Sequence, residues 1–202
     1  MFKLTPVVRN LVIINVIVYA LQIFVEGVTG KLELWGPNAV HVYADAEPFR
    51  PYQLFTYMFA HNPKSFFHIF FNMLVLATTG PILENFWGQK KFLIFYMVTG
   101  IGAGIFHLAV ETFVLHSPGI PMLGASGAIY GVLMAFGMMF PNMEVMLLLP
   151  PIPIKAKYLV WVLGIMTYLL SGANVAHFAH LGGIVFAFIL LRIWRSQDGS
   201  YF

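Results

Sequence analysis

Cysteine is absent from this chain, which excludes disulfide cross-links and thiolate metal sites and leaves the redox compartment unmarked. Charge is scarce as well. Asp, Glu, Lys and Arg together make up 9% of the 202 residues, against 59% hydrophobic residues. A soluble globular protein carries about a quarter charged residues, so water is not the main solvent of this one. There is also no linker or tail long enough to form a second unit, and residues 1–202 read as a single integral membrane domain. The net charge of +3 would point to nucleic acid in a soluble protein. Here the basic residues stand in short groups between apolar runs, where they report topology instead.

Those apolar runs are what the sequence has in abundance. A membrane-crossing helix needs about 20 mostly apolar residues. Six candidates appear, at about residues 9–28, 66–87, 92–113, 124–140, 157–171 and 173–194. The fourth and fifth are short, and "LLLPPIPIKAK" between them predicts an irregular surface segment, since its prolines stop a helix. No small-residue cleavage site ends the first span, which therefore reads as a retained anchor rather than a secretory signal. With a cytoplasmic N-terminus, Lys3, Arg9, Lys90, Lys91, Lys155, Lys157, Arg192 and Arg195 fall inside, and Lys31, Arg50 and Lys64 outside. That excess places both termini in the cytoplasm. The long external loop, about residues 29–65, carries Trp35, Tyr43, Phe49 and Tyr52, a mixture suited to lying in the headgroups.

Polar side chains at membrane depth are costly and are functional candidates by default. Spans two, four and six all run from outside to inside. Span two holds His68 and Asn72 in "HIFFN", span four holds Ser126 and Tyr130 in "GASGAIY", and span six holds His177 and His180 in "AHFAHLGG". Pairs four apart share a helix face. At about 1.5 Å of rise per residue, Ser126 stands roughly 22 Å from Pro141, Asn72 roughly 22 Å from Trp87, and His180 roughly 18 Å from Arg192. The three groups share a depth in the outer half of the bilayer. Gly127, Gly131 and Ala135 form a small-residue stripe on span four. Ala173, Ala176, Gly183 and Ala187 form another on span six, with His180 on it. Small residues let membrane helices approach closely. Facing stripes would bring Ser126 to His180, the base a serine needs to act as a nucleophile. A branched side chain at Gly127 is then expected to force spans four and six apart.

Each element has a plainer reading when taken singly. G-x-S-G in a membrane helix is a packing motif, an intramembrane histidine bonds a neighbouring helix as readily as it does chemistry, and Tyr130 is a packing aromatic. His41 and His61 read as loop or interfacial residues, and Gly100, Gly102 and Gly104 as helix packing. His61, His68, His177 and His180 invite a metal, but no carboxylate stands among them to orient the ligands, and no metal or other cofactor is implied. A proton relay through His68, His177 and His180 would suit a transporter, yet the two halves show no repeat of the kind such folds use. The conjunction points elsewhere. Ser126 resembles a nucleophile, His180 a base, and His68 with Asn72 an oxyanion hole, where one donor is worth about 2.7–4 kcal/mol. Glu84, Glu111, Glu144 and Asp198 lie near span ends and the other acids in the first span or external loop, so no third triad member is available.

On these residues the chain resembles the rhomboid intramembrane serine proteases of the six-span bacterial type. "HIFFN" is similar to the family's H-x-x-x-N, "GASG" with Tyr130 four later to its G-x-S-G, and "AHLGG" to the motif of its last helix. "GPILENFWG" resembles the end of the family's second span, with Glu84 at a structural glutamate. The resemblance runs from about residue 10 to 194. It implies an all-α six-helix bundle and a serine endopeptidase with Ser126 as nucleophile and His180 as general base and acid. It further implies Tyr130 packed on the imidazole, an oxyanion site of His68, Asn72 and the Ser126 amide, and supporting glycines at Gly124 and Gly127. Its substrates are other transmembrane proteins, cut near the outer membrane surface after local unwinding, with small residues preferred before the cut. No cofactor, metal or nucleic acid is implied; the setting is the lipid bilayer of the cell (inner) membrane. The rival within the same fold is a catalytically inactive relative that binds membrane clients. Two departures stand out: Tyr52-Gln53 occupies the place of a Trp-Arg pair in the long loop, and "NPKS" lengthens the spacing from His61 to His68.

Overall fold

The computed structural model describes residues 3–42, 44, 46–116, 121–147, 151–170 and 177–198. Its eight helices and one small hairpin run in the order α1 (Pro6–Phe24), α2 (Val28–Leu32), α3 (Gln53–Thr56), α4 (Phe66–Trp87), α5 (Gln89–Ala109), α6 (Ser126–Met139), β1 (Glu144–Met146), β2 (Pro153–Lys155), α7 (Ala156–Leu170) and α8 (His177–Asp198). A single 3₁₀ turn, Ala39–His41, interrupts the long loop. Among the described residues, four helical stretches are long and apolar enough to cross a membrane: Pro6–Phe24, Phe66–Trp87, Gln89–Val114 and His177–Ser196. The other two expected spans are helical too, but shorter, at 14 and 15 residues.

Local chemistry sets the helix ends. Pro6 opens α1 at a position where its missing N–H costs nothing. Its first-turn donors are served by a residue far away in sequence, Glu84 near the end of α4. Glu84 is buried and accepts from the Thr5 hydroxyl, from Val7 N at 3.0 Å and from Val8 N at 2.9 Å. A carboxylate against a helix N-terminus is favoured by hydrogen bonding and by the helix dipole alike. Gly88, at φ +80°, closes α4 and lets α5 start at the very next residue. At its far end α5 widens through Val110–Val114 into i→i+5 hydrogen bonding, closed by Leu115 N to Val110 O at 3.0 Å.

The chain is not wholly helical, as the sequence implied. Where an irregular segment is expected around the prolines, β1 and β2 pair antiparallel, with Glu144 opposite Lys155 and Met146 opposite Pro153. Both strands of a two-stranded ribbon are edges, which is where a proline is tolerated in a sheet. The long loop also departs from expectation, because much of it packs inward. Leu34, Trp35, Tyr57, Met58, Phe59 and Ala60 are buried, while Val42, Tyr52 and Phe55 remain exposed. Tyr43 lies outside the described residues. Gln53 is fully buried and closes its own turn, accepting from Arg50 N at 3.1 Å, so Tyr52-Gln53 anchors the loop through main-chain capping.

Glu33, in the same loop, is 9% exposed, and burial pushes its carboxyl up to about 7. The folded chain therefore holds this proton more tightly than the unfolded chain, and stability falls as pH rises from the ordinary carboxylate range through about 7. Glu33→Gln is expected to raise the thermal midpoint in detergent at about pH 8 and to leave it nearly unchanged at about pH 4. Equal shifts at both pH values would contradict this account.

The core is α5, α6 and α8 in mutual contact, with α4 on one side. Glycines mark the closest approaches. A Cβ on Gly183 of α8 would lie 2.0 Å from the Gly127 carbonyl oxygen of α6, and one on Gly102 of α5 would lie 2.3 Å from the Phe186 ring of α8. The stripe on α6 meets α8 at Gly127, as expected, but it also faces α5. A Cβ on Gly127 would meet Ala103 of α5 at 2.7 Å, and one on Gly131 would meet Thr99 of α5 at 2.7 Å. The Gly127 backbone meets Gly183 of α8, and a Cβ on Gly127 would also sit 3.7 Å from the Ala179 carbonyl oxygen of that helix. Ala173 and Ala176 lie outside the described residues, whereas Ala187 is buried. The substitution that separates α6 from α8 is therefore Gly183→Val. It should cost at least the 1–3 kcal/mol typical of overpacking, about 2 at a central value, seen as a lower thermal midpoint. Gly127→Val strains α5 first. A Gly183→Val variant as stable as the parent would mean the two backbones do not meet.

Candidate active site

Ser126 is the first residue of α6, and the segment before it is pinned from two directions. Met122 exchanges backbone hydrogen bonds with Leu34, at 2.8 and 3.0 Å, and Gly124 N donates to Tyr57 O at 2.9 Å. Gly124 itself is at φ +127°, a conformation that side-chain-bearing residues rarely adopt. Opening a helix leaves the Ser126 backbone N–H among the donors that have no partner within the helix. The hydroxyl and this N–H are both held at the mouth of α6 by constraints from the loop.

His180 stands one turn into α8, and its Nε2 lies 2.9 Å from Ser126 Oγ. The Gly127–Gly183 contact is what allows this, since α6 and α8 touch backbone to side-chain-free backbone one turn away. Tyr130, one turn along α6 from Ser126, stacks on the imidazole with ring centroids 4.4 Å apart and planes inclined by 18°. His177 is not at this contact. Its ring sits 5.2 Å from Tyr168 of α7 and 6.3 Å from the His180 ring. The row that follows it is the outward one, with Leu181 and Phe188 exposed.

His68, in the first turn of α4, approaches from the other side. A Cβ at Gly124 would lie 2.8 Å from His68 Nε2 and 3.7 Å from Ser126 Oγ, so both reach the same point, and only a glycine fits between them. The tautomer follows from the other ring nitrogen: His68 Nδ1 accepts from Asn62 N at 3.3 Å. The proton of neutral His68 is then on Nε2, facing Gly124 and the serine. Asn72 is buried one turn later and gives one amide hydrogen to the His68 carbonyl at 2.7 Å, leaving the second for another acceptor.

His61 lies in a loop, as expected, but not at its surface. It is fully buried, its ring is 5.1 Å from that of His68, and neither ring nitrogen makes a well-formed hydrogen bond. Burial, reinforced by His68, lowers its pKa to about 3, so it is neutral near neutral pH. Its backbone N–H donates to Gln22 of α1 at 2.8 Å. Spacing alone does not reveal that this histidine turns inward. Sequence reasoning also missed Thr167 of α7, whose Oγ1 is 2.9 Å from the Tyr130 hydroxyl. Among the described residues no group of three or more His, Cys, Asp or Glu side chains is arranged to hold a metal.

A serine hydroxyl against an imidazole nitrogen, beside a protonated ring nitrogen, a side-chain amide and the first N–H of a helix, has the parts for acyl transfer. Comparison with known proteins points the same way. Residues 48–197 match the family model described as the Rhomboid domain. Rhomboid protein 1, mitochondrial, of Saccharomyces cerevisiae is 33% identical over 131 residues, covering 61% of this chain and 37% of that protein. Rhomboid protease GluP of Bacillus subtilis is 27% identical over 121 residues, covering 60% of this chain and 22% of that protein. The chain thus spans well under half the length of either relative.

Proposed function

Because this chain belongs to the rhomboid family, as a multi-pass membrane protein, we propose that it is an intramembrane serine endopeptidase working with a Ser126–His180 dyad. The observation that carries this reading is the 2.9 Å contact between His180 Nε2 and Ser126 Oγ. His180 takes the hydroxyl proton as Ser126 Oγ attacks the scissile carbonyl carbon of a transmembrane substrate. The developing oxyanion accepts from His68 Nε2–H, the Asn72 amide and the Ser126 N–H. His180 then gives its proton to the leaving amine, and the C–N bond breaks. In the second half, water loses a proton to the same imidazole and attacks the acyl-enzyme, and the proton returns to Ser126 as the acid product leaves. Tyr130 backs the imidazole throughout, and Gly124 and Gly127 keep the site narrow.

The proposal includes the topology: one domain over residues 1–202, six spans with α6 and α7 as the short ones, and both termini in the cytoplasm by the distribution of Lys and Arg. The site then opens toward the outer face of the cell membrane. A fluorophosphonate probe applied to the purified protein in detergent tests the reading. Labelling at Ser126 that disappears in Ser126→Ala is the expected result. A wild-type chain that stays unlabelled, while still binding transmembrane segments, would instead be an inactive client-binding relative.

A further inference from the structure

His180 rests on Tyr130, and what holds Tyr130 comes from a third helix. Its hydroxyl lies 2.9 Å from Thr167 Oγ1 on α7. Three residues earlier, on the same face of α7, Gly164 leaves room for the tyrosine ring. A Cβ there would sit 3.7 Å from the ring edge, at ordinary contact distance. Gly164 and Thr167 together form a two-point seat for one aromatic side chain. The start of α7 is fastened by Ala156, Leu159 and Val160, which are buried, and the helix packs chiefly on α6 and against β2; Trp161, Ile165, Tyr168 and Leu169 are exposed.

The behaviour of Thr167 differs from that of the threonines inside α4 and α5. Thr78, Thr79 and Thr99 return their hydroxyls to carbonyls of their own helices, the default for a threonine inside a helix. Thr167 reaches across to another helix. The tyrosine it meets lies with its ring 4.4 Å from the imidazole and nearly parallel to it. We propose that Thr167 is a positioning residue: through the Tyr130 hydroxyl it fixes the plane of the His180 imidazole against Ser126 and so ties the alignment of the dyad to the seating of α7. This rests on the protease reading of the site. Without the bond, Tyr130 is free to tilt, and the imidazole loses its backing without losing its own contact to the serine. Misplacement of a reacting group by a fraction of an ångström acts on turnover rather than on substrate capture.

The test compares Thr167→Val, which keeps the shape and removes the hydroxyl, with Thr167→Ser, which keeps the hydroxyl, and with Tyr130→Phe. Thr167→Val should lower kcat about three- to twentyfold, the span of measured hydrogen bonds between membrane helices. KM should stay within about twofold, fluorophosphonate labelling should slow by the same factor as kcat, and Thr167→Ser should stay within about twofold of wild type. Tyr130→Phe removes the same bond from the other side, so the double variant should be no slower than the worse single one. The ¹⁵N resonances of the His180 ring should shift in Thr167→Val and return in Thr167→Ser. That readout needs no turnover. A wild-type protein that fails to label at Ser126 would overturn the protease reading, while the His180 resonances would still decide whether Thr167 orients the ring. Multiplying losses in the double variant, a Thr167→Ser variant as impaired as Thr167→Val, or unchanged ring resonances would overturn the positioning role.

Discussion

Ser126→Ala is expected to abolish cleavage of a transmembrane substrate, a loss on the order of 10⁶-fold as when other serine hydrolases lose their nucleophile, while the thermal midpoint moves little. The two halves of this expectation have separate grounds. The hydroxyl is the atom that would form the acyl bond, and among the described residues no other hydroxyl is hydrogen-bonded to the His180 ring. Folding does not depend on it, because the turn before α6 is held by main-chain bonds from Leu34 and Tyr57, and Ser126 is only partly buried. Losing one hydrogen bond to a histidine costs about 1 kcal/mol. Cleavage by reconstituted protein, followed on a gel beside a melting curve, reads both. Turnover near that of wild type would remove the protease assignment; an unfolded variant would mean that the serine is structural.

The second large effect separates the two histidines of α8. His180→Asn is expected to eliminate turnover to a similar extent, and His177→Asn to keep it within about fivefold, a loss the size of one ordinary hydrogen bond. Three residues apart on one helix, the two rings nevertheless meet different partners. His180 has Ser126 and the Tyr130 face, whereas His177 turns to Tyr168 on α7. Asparagine in place of His180 can still fill the space, but it cannot accept a proton from the serine near neutral pH. Measured on one substrate in the same detergent, an inactive His177→Asn beside an active His180→Asn would assign the base to the other residue.

What could be read beforehand followed from helix periodicity. Ser126, Tyr130, His180 and Gly183 were legible because residues three and four apart share a face, and small residues mark where faces meet. The same reasoning missed a second partner: Gly131 packs on α5, and Gly127 lies between α5 and Gly183 of α8. A glycine shows that something comes close without showing what, and α5 supplies Ala103 and Thr99, small enough to fit. Loop residues were the least legible. His61 and Gln53 carry polar groups in a polar-looking segment, yet both are fully buried, because contacts from α1 and from their own turn draw them inward. The hairpin escaped notice because the prolines read as breakers, though Pro153 stands on an edge strand. Thr167 looked like one more threonine in an apolar run; only the direction of its hydroxyl distinguishes it.

The carboxylate of Glu84 bears on how the chain can be shortened. The region shared with the family begins at residue 48, which makes α1 look dispensable. Yet Glu84, inside that region, is 2% exposed, and the partners found for it are the donors at the start of α1. Cutting the chain after the first helix would strand a desolvated negative charge at the foot of α4, a cost that several kcal/mol of apolar packing elsewhere would have to offset. The helix outside the shared region in this sense completes the hydrogen bonding of the region itself, and the smallest autonomous unit is longer than the boundary of the family resemblance implies.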